Sequence, residues 1–140
     1  MQQLITWILR PTIPMARLFL LCGAVSAALA VILGAFGAHA LQGRLTEQLL
    51  AVYHTAAQYQ FYHALGLLAV GILAARPEPI PCLRLAGGFM IVGTILFSGS
   101  LYALSVTGIR TLGVITPFGG AAFIAAWVSL AIGAWRATSV

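Results

Sequence analysis

The sequence contains no lysine and no aspartate, and its acidic residues are two glutamates, Glu47 and Glu78. Without lysine there is no Schiff-base amine and no phosphate-loop lysine. Two glutamates far apart in sequence do not supply a carboxylate pair for acid–base work. Charge of either sign is scarce: seven arginines and the two glutamates make 6% of 140 residues, where a soluble domain carries about 25%. So few charged side chains cannot build a polar shell. Hydrophobic residues make up 61% of the chain, and the mean hydropathy is +1.04. These values exclude a water-soluble globule and indicate an integral membrane protein. The net charge of +5 does not point to nucleic acid, because the arginines are scattered between apolar stretches and read as topology signals.

Cysteine is equally sparse. Cys22 and Cys82 are too few for a zinc site, and both are expected near a reducing compartment, which argues against a structural disulfide. No cofactor is implied by the residue inventory.

What the sequence does have is long apolar runs. A helix crossing a bilayer core of about 30 Å needs about 20 predominantly apolar residues. Residues 18–38, 85–104 and 118–135 meet this directly. The run 64–75 is too short alone and reaches the required length if its helix starts near Ala56. The expectation is an all-α, four-transmembrane-helix bundle with spans over 18–40, 56–75, 84–106 and 117–136, preceded by an extension over 1–14. Arg76-Pro77-Glu78-Pro79-Ile80-Pro81 cannot continue a helix, and Pro117 suits a first helical turn. Residues 42–55, with Leu45, Leu49, Leu50, Val52 and Tyr53 among polar neighbours, predict a short interfacial helix after the first span, separate from the second span or continuous with it. The first run also contains Ala28-Leu29-Ala30, a small-residue pattern of signal cleavage, but it continues to Ala38, beyond a usual signal core.

With four spans, Arg10, Arg17, Arg76, Arg84 and Arg136 share one side, and Arg44 and Arg110 the other. Five against two places both termini in the cytoplasm. Small residues recur every four positions in the first span (Ser26, Ala30, Gly34, Ala38) and in the fourth (Ala121, Ala125, Ser129, Gly133). Such stripes permit close helix packing, within the bundle or between copies in a homo-oligomer or larger membrane complex.

The polar residues of the spans gather, on this topology, toward the non-cytoplasmic face: His39; Gln58, Tyr59, Gln60, Tyr62 and His63; Ser98, Ser100 and Tyr102; and Thr116. Polar groups at membrane depth must be satisfied, so they are expected to point inward and pair. The first reading is a hydrogen-bond network that locks helix register. A second is a small-ligand or proton pathway, since histidine titrates near neutral pH. A third is a metal or haem held by His39 and His63 from facing helices. Phe97-Ser98-Gly99-Ser100 is not a Gly-x-Ser-x-Gly nucleophile elbow, and no catalytic constellation is present.

Four ordered segments carry a resemblance: Gly34-Ala35-Phe36-Gly37-Ala38-His39-Ala40-Leu41, Gln58-Tyr59-Gln60-Phe61-Tyr62-His63-Ala64-Leu65, Phe97-Ser98-Gly99-Ser100-Leu101-Tyr102 and Ile115-Thr116-Pro117-Phe118-Gly119-Gly120, the last followed by Trp127. Together they resemble the domain of unknown function 423 family, the YgdD-like small inner-membrane proteins, of which the eukaryotic transmembrane protein 256 is a relative. The resemblance implies a four-helix bacterial inner-membrane protein and no particular reaction. The functional expectation is a non-enzymatic binding or accessory subunit. Its rivals are an oligomeric transporter or channel component using His39 and His63, and a haem- or quinone-linked redox protein.

Overall fold

Local signals set the helix boundaries. The structure is a computed structural model that describes residues 15–137; the extension expected over 1–14 lies outside the described residues. Helix α1 spans Met15–His39. It ends in a turn where the Ala40 and Leu41 N–H groups both reach the Phe36 carbonyl, and Gly43 at φ +78° redirects the chain in a region open to glycine. Thr46 then caps α2, Glu47–Ala74, its hydroxyl accepting from the Leu49 N–H at 3.3 Å. Glu47 sits in the first turn, where a negative charge complements the exposed N–H groups.

Helix α3 runs Leu83–Thr107 and ends at Gly108, φ +72°, whose N–H bonds the Leu104 carbonyl at 2.8 Å. A short 3₁₀ turn, Arg110–Val114, leads into α4, Thr116–Ala137. No strand occurs among the described residues.

One of the two alternatives left open after the first span is realised, and one feature was not anticipated. The segment 47–55 forms no separate interfacial helix; it is the opening of α2, a single 28-residue helix. The pattern of Leu49, Leu50, Val52 and Tyr53 continues in register into the later run, so nothing breaks the helix between them. Secondly, α3 contains a π-helical segment, Thr94–Ser98, in which the Gly99 N–H bonds the carbonyl of Thr94, five residues back.

Three helices, Met15–His39, Leu83–Thr107 and the Arg110–Ala137 stretch, are long and apolar enough to cross a membrane. Helix α2 is more polar, yet it contributes the most buried residues, among them Tyr53, Ala56, Gln60, His63, Leu67 and Val70. Glycine contacts define the register around it. A Cβ on Gly37 would meet the Tyr53 ring, one on Gly23 would meet Leu68, and one on Gly71 would meet Leu20. Helices α1 and α2 therefore run antiparallel along their whole shared length. Gly66 of α2 faces Met90 of α3 and Trp127 of α4, while Gly87 of α3 faces Phe19 of α1. Toward one end, which carries Arg17, Arg76, Arg84 and Arg136, the interior is an apolar core of Phe19, Leu67, Val70, Leu83, Ala86, Met90 and Ala126.

The small-residue stripes are only partly interior. Ala30 and Gly133 are buried, and Ser26, Gly34, Ala125 and Ser129 are half-buried, whereas Ala38 and Ala121 are exposed. The faces that pack are instead Phe19, Gly23, Ala30 and Gly37 on α1, and Gly119, Phe123, Ala126 and Gly133 on α4. Their steps of three, four and seven follow the near-antiparallel helix seam, which a strict step of four leaves after two turns.

The tightest approach joins α3 to α4, where a Cβ at Gly119 would collide with the Phe97 backbone, while one at Gly34 would meet nothing. Gly119→Ala should therefore cost about 1–3 kcal/mol of stability in detergent, the range for overpacked cores, while Gly34→Ala should stay within about 0.5 kcal/mol. Thermal unfolding of the two variants side by side checks this.

Candidate functional site

A glutamine and a histidine inside a membrane bundle need partners, because no water is available to satisfy them. Gln60 and His63, three residues apart, both face inward from α2, and both are buried. The Gln60 side-chain nitrogen donates to the Ser26 carbonyl of α1 at 3.1 Å, and its oxygen accepts from the Tyr102 hydroxyl of α3 at 2.9 Å. One carboxamide thus ties three helices. Tyr102 is fixed from behind by Tyr53, edge-on with ring centroids 4.9 Å apart, and Ser105 donates to its carbonyl at 2.9 Å.

His63 ties α2 to the fourth helix. Its Nε2 lies 3.2 Å from the Trp127 indole N–H, and its Nδ1 lies 2.7 Å from the Tyr59 carbonyl. An indole only donates and a carbonyl only accepts. The arrangement therefore selects the neutral tautomer with the proton on Nδ1 and the Nε2 lone pair engaged by Trp127. The Phe123 ring stacks on the imidazole, 3.3 Å between centroids and 11° between planes. Tyr59 and Phe97 extend the aromatic layer, with centroids 4.7 Å apart. A Cβ on Gly93 would meet the Phe123 ring, so this glycine makes room for the stack.

Further along, Ser100 and Thr116 hydroxyls lie 2.8 Å apart, and Ser100 donates to the Phe97 carbonyl at 3.0 Å. Thr116 is then the donor to Ser100, since a serine hydroxyl has a single proton. The link joins the end of α3 to the start of α4. Ser98, in the π-helical segment, is buried with its hydroxyl unpartnered, as is the Ser26 hydroxyl.

The expected polar cluster is thus present in part and differently placed. Gln60, His63, Ser98, Ser100 and Tyr102 face the interior or lie half-buried in it, as does Thr116. Gln58 and Tyr62 do not: both are exposed, and they pair with each other at 2.7 Å on the outer face of α2. Tyr59 is partly exposed and acts through its carbonyl and its ring. His39 and His63 are not neighbours. Gly37 packs on Tyr53 and Leu20 on Gly71, a register that puts His63 level with about residue 27 of α1, and His39 lies about 18 Å further along the helix axis. The two histidines cannot share a metal, a haem or a single proton-binding site. Their separation was hidden because α2 starts with two polar turns, which place His63 at mid-helix and not at the helix entrance. No group of three or more His, Cys, Asp or Glu positioned for a metal occurs among the described residues.

The network also contains members that sequence reasoning did not assign: Tyr53, Ser105, Phe123 and, above all, Trp127. One signal was available for Trp127. It lies in the middle of an apolar run, far from the interfaces where tryptophan is common, and an indole N–H at membrane depth needs an acceptor although the residue itself is exposed.

Helical organisation with buried polar ties defines a membrane-embedded bundle. The sequence comparisons agree. The chain belongs to the family described as protein of unknown function (DUF423), whose profile matches residues 33–120. It is 51% identical over 118 residues to the UPF0382 membrane protein YwdK of Bacillus subtilis, covering 84% of this chain and 96% of that protein. It is 43% identical over 120 residues to the UPF0382 membrane protein SSP2132 of Staphylococcus saprophyticus, covering 86% and 98% respectively. No solved structure matches the chain significantly. This is an integral membrane protein, and neither the family nor these relatives carry an enzymatic name.

The Tyr102–Gln60 tie makes a direct prediction. Tyr102→Phe leaves the Gln60 oxygen without its donor and should cost about 0.6 kcal/mol, the average for side-chain hydrogen bonds within a membrane bundle, and no more than about 1.7. A double-mutant cycle with Gln60→Leu, read by thermal unfolding in detergent, should return a coupling of that size; additive single costs would contradict the tie.

Proposed function

We propose that this protein is a four-span inner-membrane protein with both termini cytoplasmic, and that it serves as a non-enzymatic binding or accessory subunit. The observation that carries the functional part is His63. Both ring nitrogens are engaged, by Trp127 and by the Tyr59 carbonyl, and one ring face is covered by Phe123. An imidazole held in this way orients helices; it has no free lone pair for a metal or for an incoming proton. Gln60 likewise spends both ends of its amide between helices. The polar groups therefore act on each other, which supports a bundle of defined register whose outer surface meets its partners.

Four spans are supported by the register of α2. Contacts from Gly37–Tyr53 to Leu20–Gly71 carry it alongside α1 for about 25 Å at 1.5 Å per residue, most of a bilayer core. The arginine bias supports the orientation. Membrane-impermeant maleimide labelling tests both, with Cys22 and Cys82 first replaced by serine. Arg44→Cys should react in intact cells, and Arg76→Cys only after permeabilisation. Equal reactivity of the two sites would mean that α2 does not cross.

The accessory reading is tested by reconstitution. Proteoliposomes should show no pH- or ion-dependent flux above empty vesicles, and His63→Ala should lower thermal stability by roughly 1–3 kcal/mol. A wild-type flux that a stably folded His63→Gln abolishes would establish the transporter reading in its place. Chemical cross-linking in native membranes should then identify the partner, a second copy or a larger complex.

A further inference from the structure

Where α2 ends, the proline-rich segment 77–81 turns back across the bundle, and a Cβ on Gly133 of α4 would collide with the Pro81 carbonyl. This contact draws the segment against α4 and leaves an open groove beside it. The groove has a volume of about 140 Å³ and is lined by Leu73, Ile80, Leu130, Ala134 and Ala137, with Arg76 the charged member among the described residues. The volume is close to that of an engineered apolar cavity, about 150 Å³, that accommodates benzene. A section of one hydrocarbon chain fits it; a polar headgroup does not.

The charge around the groove is one-sided. Arg17, Arg76, Arg84 and Arg136 are all exposed at this end of the bundle, against one acidic residue, Glu78. An arginine at membrane-headgroup level makes bidentate hydrogen bonds to phosphate, and a cationic rim beside an apolar slot matches an anionic lipid in both parts. Burial in lipid brings no hydrophobic gain of its own. Selectivity for a net-anionic lipid must therefore come from the positive charge of Arg76 and its neighbours, and the fit from close contacts along the chain.

We infer that this groove is a binding site for one anionic phospholipid, its phosphate on Arg76 and part of one acyl chain between Leu73, Ile80 and Leu130. The site needs a bilayer at the arginine end and is independent of which side of the membrane that end faces and of the accessory role.

Native mass spectrometry of the full chain tests it, from detergent micelles holding equal phosphatidylglycerol and phosphatidylethanolamine. Wild type should retain one phosphatidylglycerol per chain in preference to phosphatidylethanolamine. Arg76→Gln should lower that retention roughly fivefold, as expected for one arginine at a lipid surface, while Arg76→Lys should keep most of it. Ala134→Phe, which fills the groove and leaves the charge, should lower it as well. Arg76 and Ala134 are exposed, so both variants should unfold at the wild-type temperature in lipid-free detergent. Equal retention of the two lipids by wild type would overturn the site. So would wild-type retention by Arg76→Gln or by Ala134→Phe. A dimer mass that replaces the lipid adduct would assign the groove to a second copy, and retention that rises on deleting residues 138–140 would assign it to the chain's own end; either refutes the lipid.

Discussion

The structure depends on satisfying two polar side chains in the middle of an apolar bundle. Gln60 and His63 project from the least apolar of the four helices, and that helix is the most buried. Facing lipid, an amide or imidazole loses water and gains nothing. Facing inward, Gln60 bonds Ser26 and Tyr102, and His63 bonds Trp127 and the Tyr59 carbonyl. Each of the other three helices thus meets α2 through a directional bond. Dispersion alone tolerates a helix sliding by a turn; a hydrogen bond at about 3 Å does not.

Around these ties the bundle divides by chemistry. At the arginine end, Phe19, Leu67, Val70, Met90 and their neighbours form an apolar core. From mid-height onward the interior is aromatic and polar, from Trp127 and His63 through Tyr59 and Phe97 to Ser100 and Thr116. The π-helical segment Thr94–Ser98 lies where the two regimes meet. One residue of extra winding changes the face that α3 presents. Before it, Gly87, Met90 and Gly93 serve the core and Phe123; after it, Ser100 and Tyr102 serve the polar ties. A π-helical turn marks such a reorientation, and the backbone of Phe97 there lies hard against Gly119. Glycine at 119 is the condition for this crossing.

The polar ties around Gln60 and His63 and the basic end occupy different parts of the bundle. The interior ties hold the helices in one arrangement. The outer face of α1 is a continuous apolar display of Leu18, Leu21, Val25, Leu29, Ile32 and Phe36, suited to lipid or to a partner helix. The arginine end offers headgroup chemistry.

Composition alone determined that this is a helical membrane protein, because charge at 6% leaves no alternative to lipid as solvent. Apolar run lengths and the triple proline delimited three of the helices to within a few residues, since a missing N–H and a bilayer's thickness are local constraints; the start of α2, at Glu47 and not near Ala56, was not legible in this way. The residues that matter for packing were named in sequence as a polar set, with Gln60, His63, Ser100, Tyr102 and Thr116 among them. Their partners were not, since partnership depends on register and facing. The register put His63 level with Trp127 and far from His39, turned Gln58 and Tyr62 outward, and made Ala121 and Ala38 surface residues. The π-helical turn in α3 left no mark in composition, and its backbone at Phe97 lies against Gly119 of a helix far away in sequence. Which residues must be satisfied follows from their chemistry and is written in the chain; who satisfies them is decided by distances between helices, which exist only once the bundle has formed.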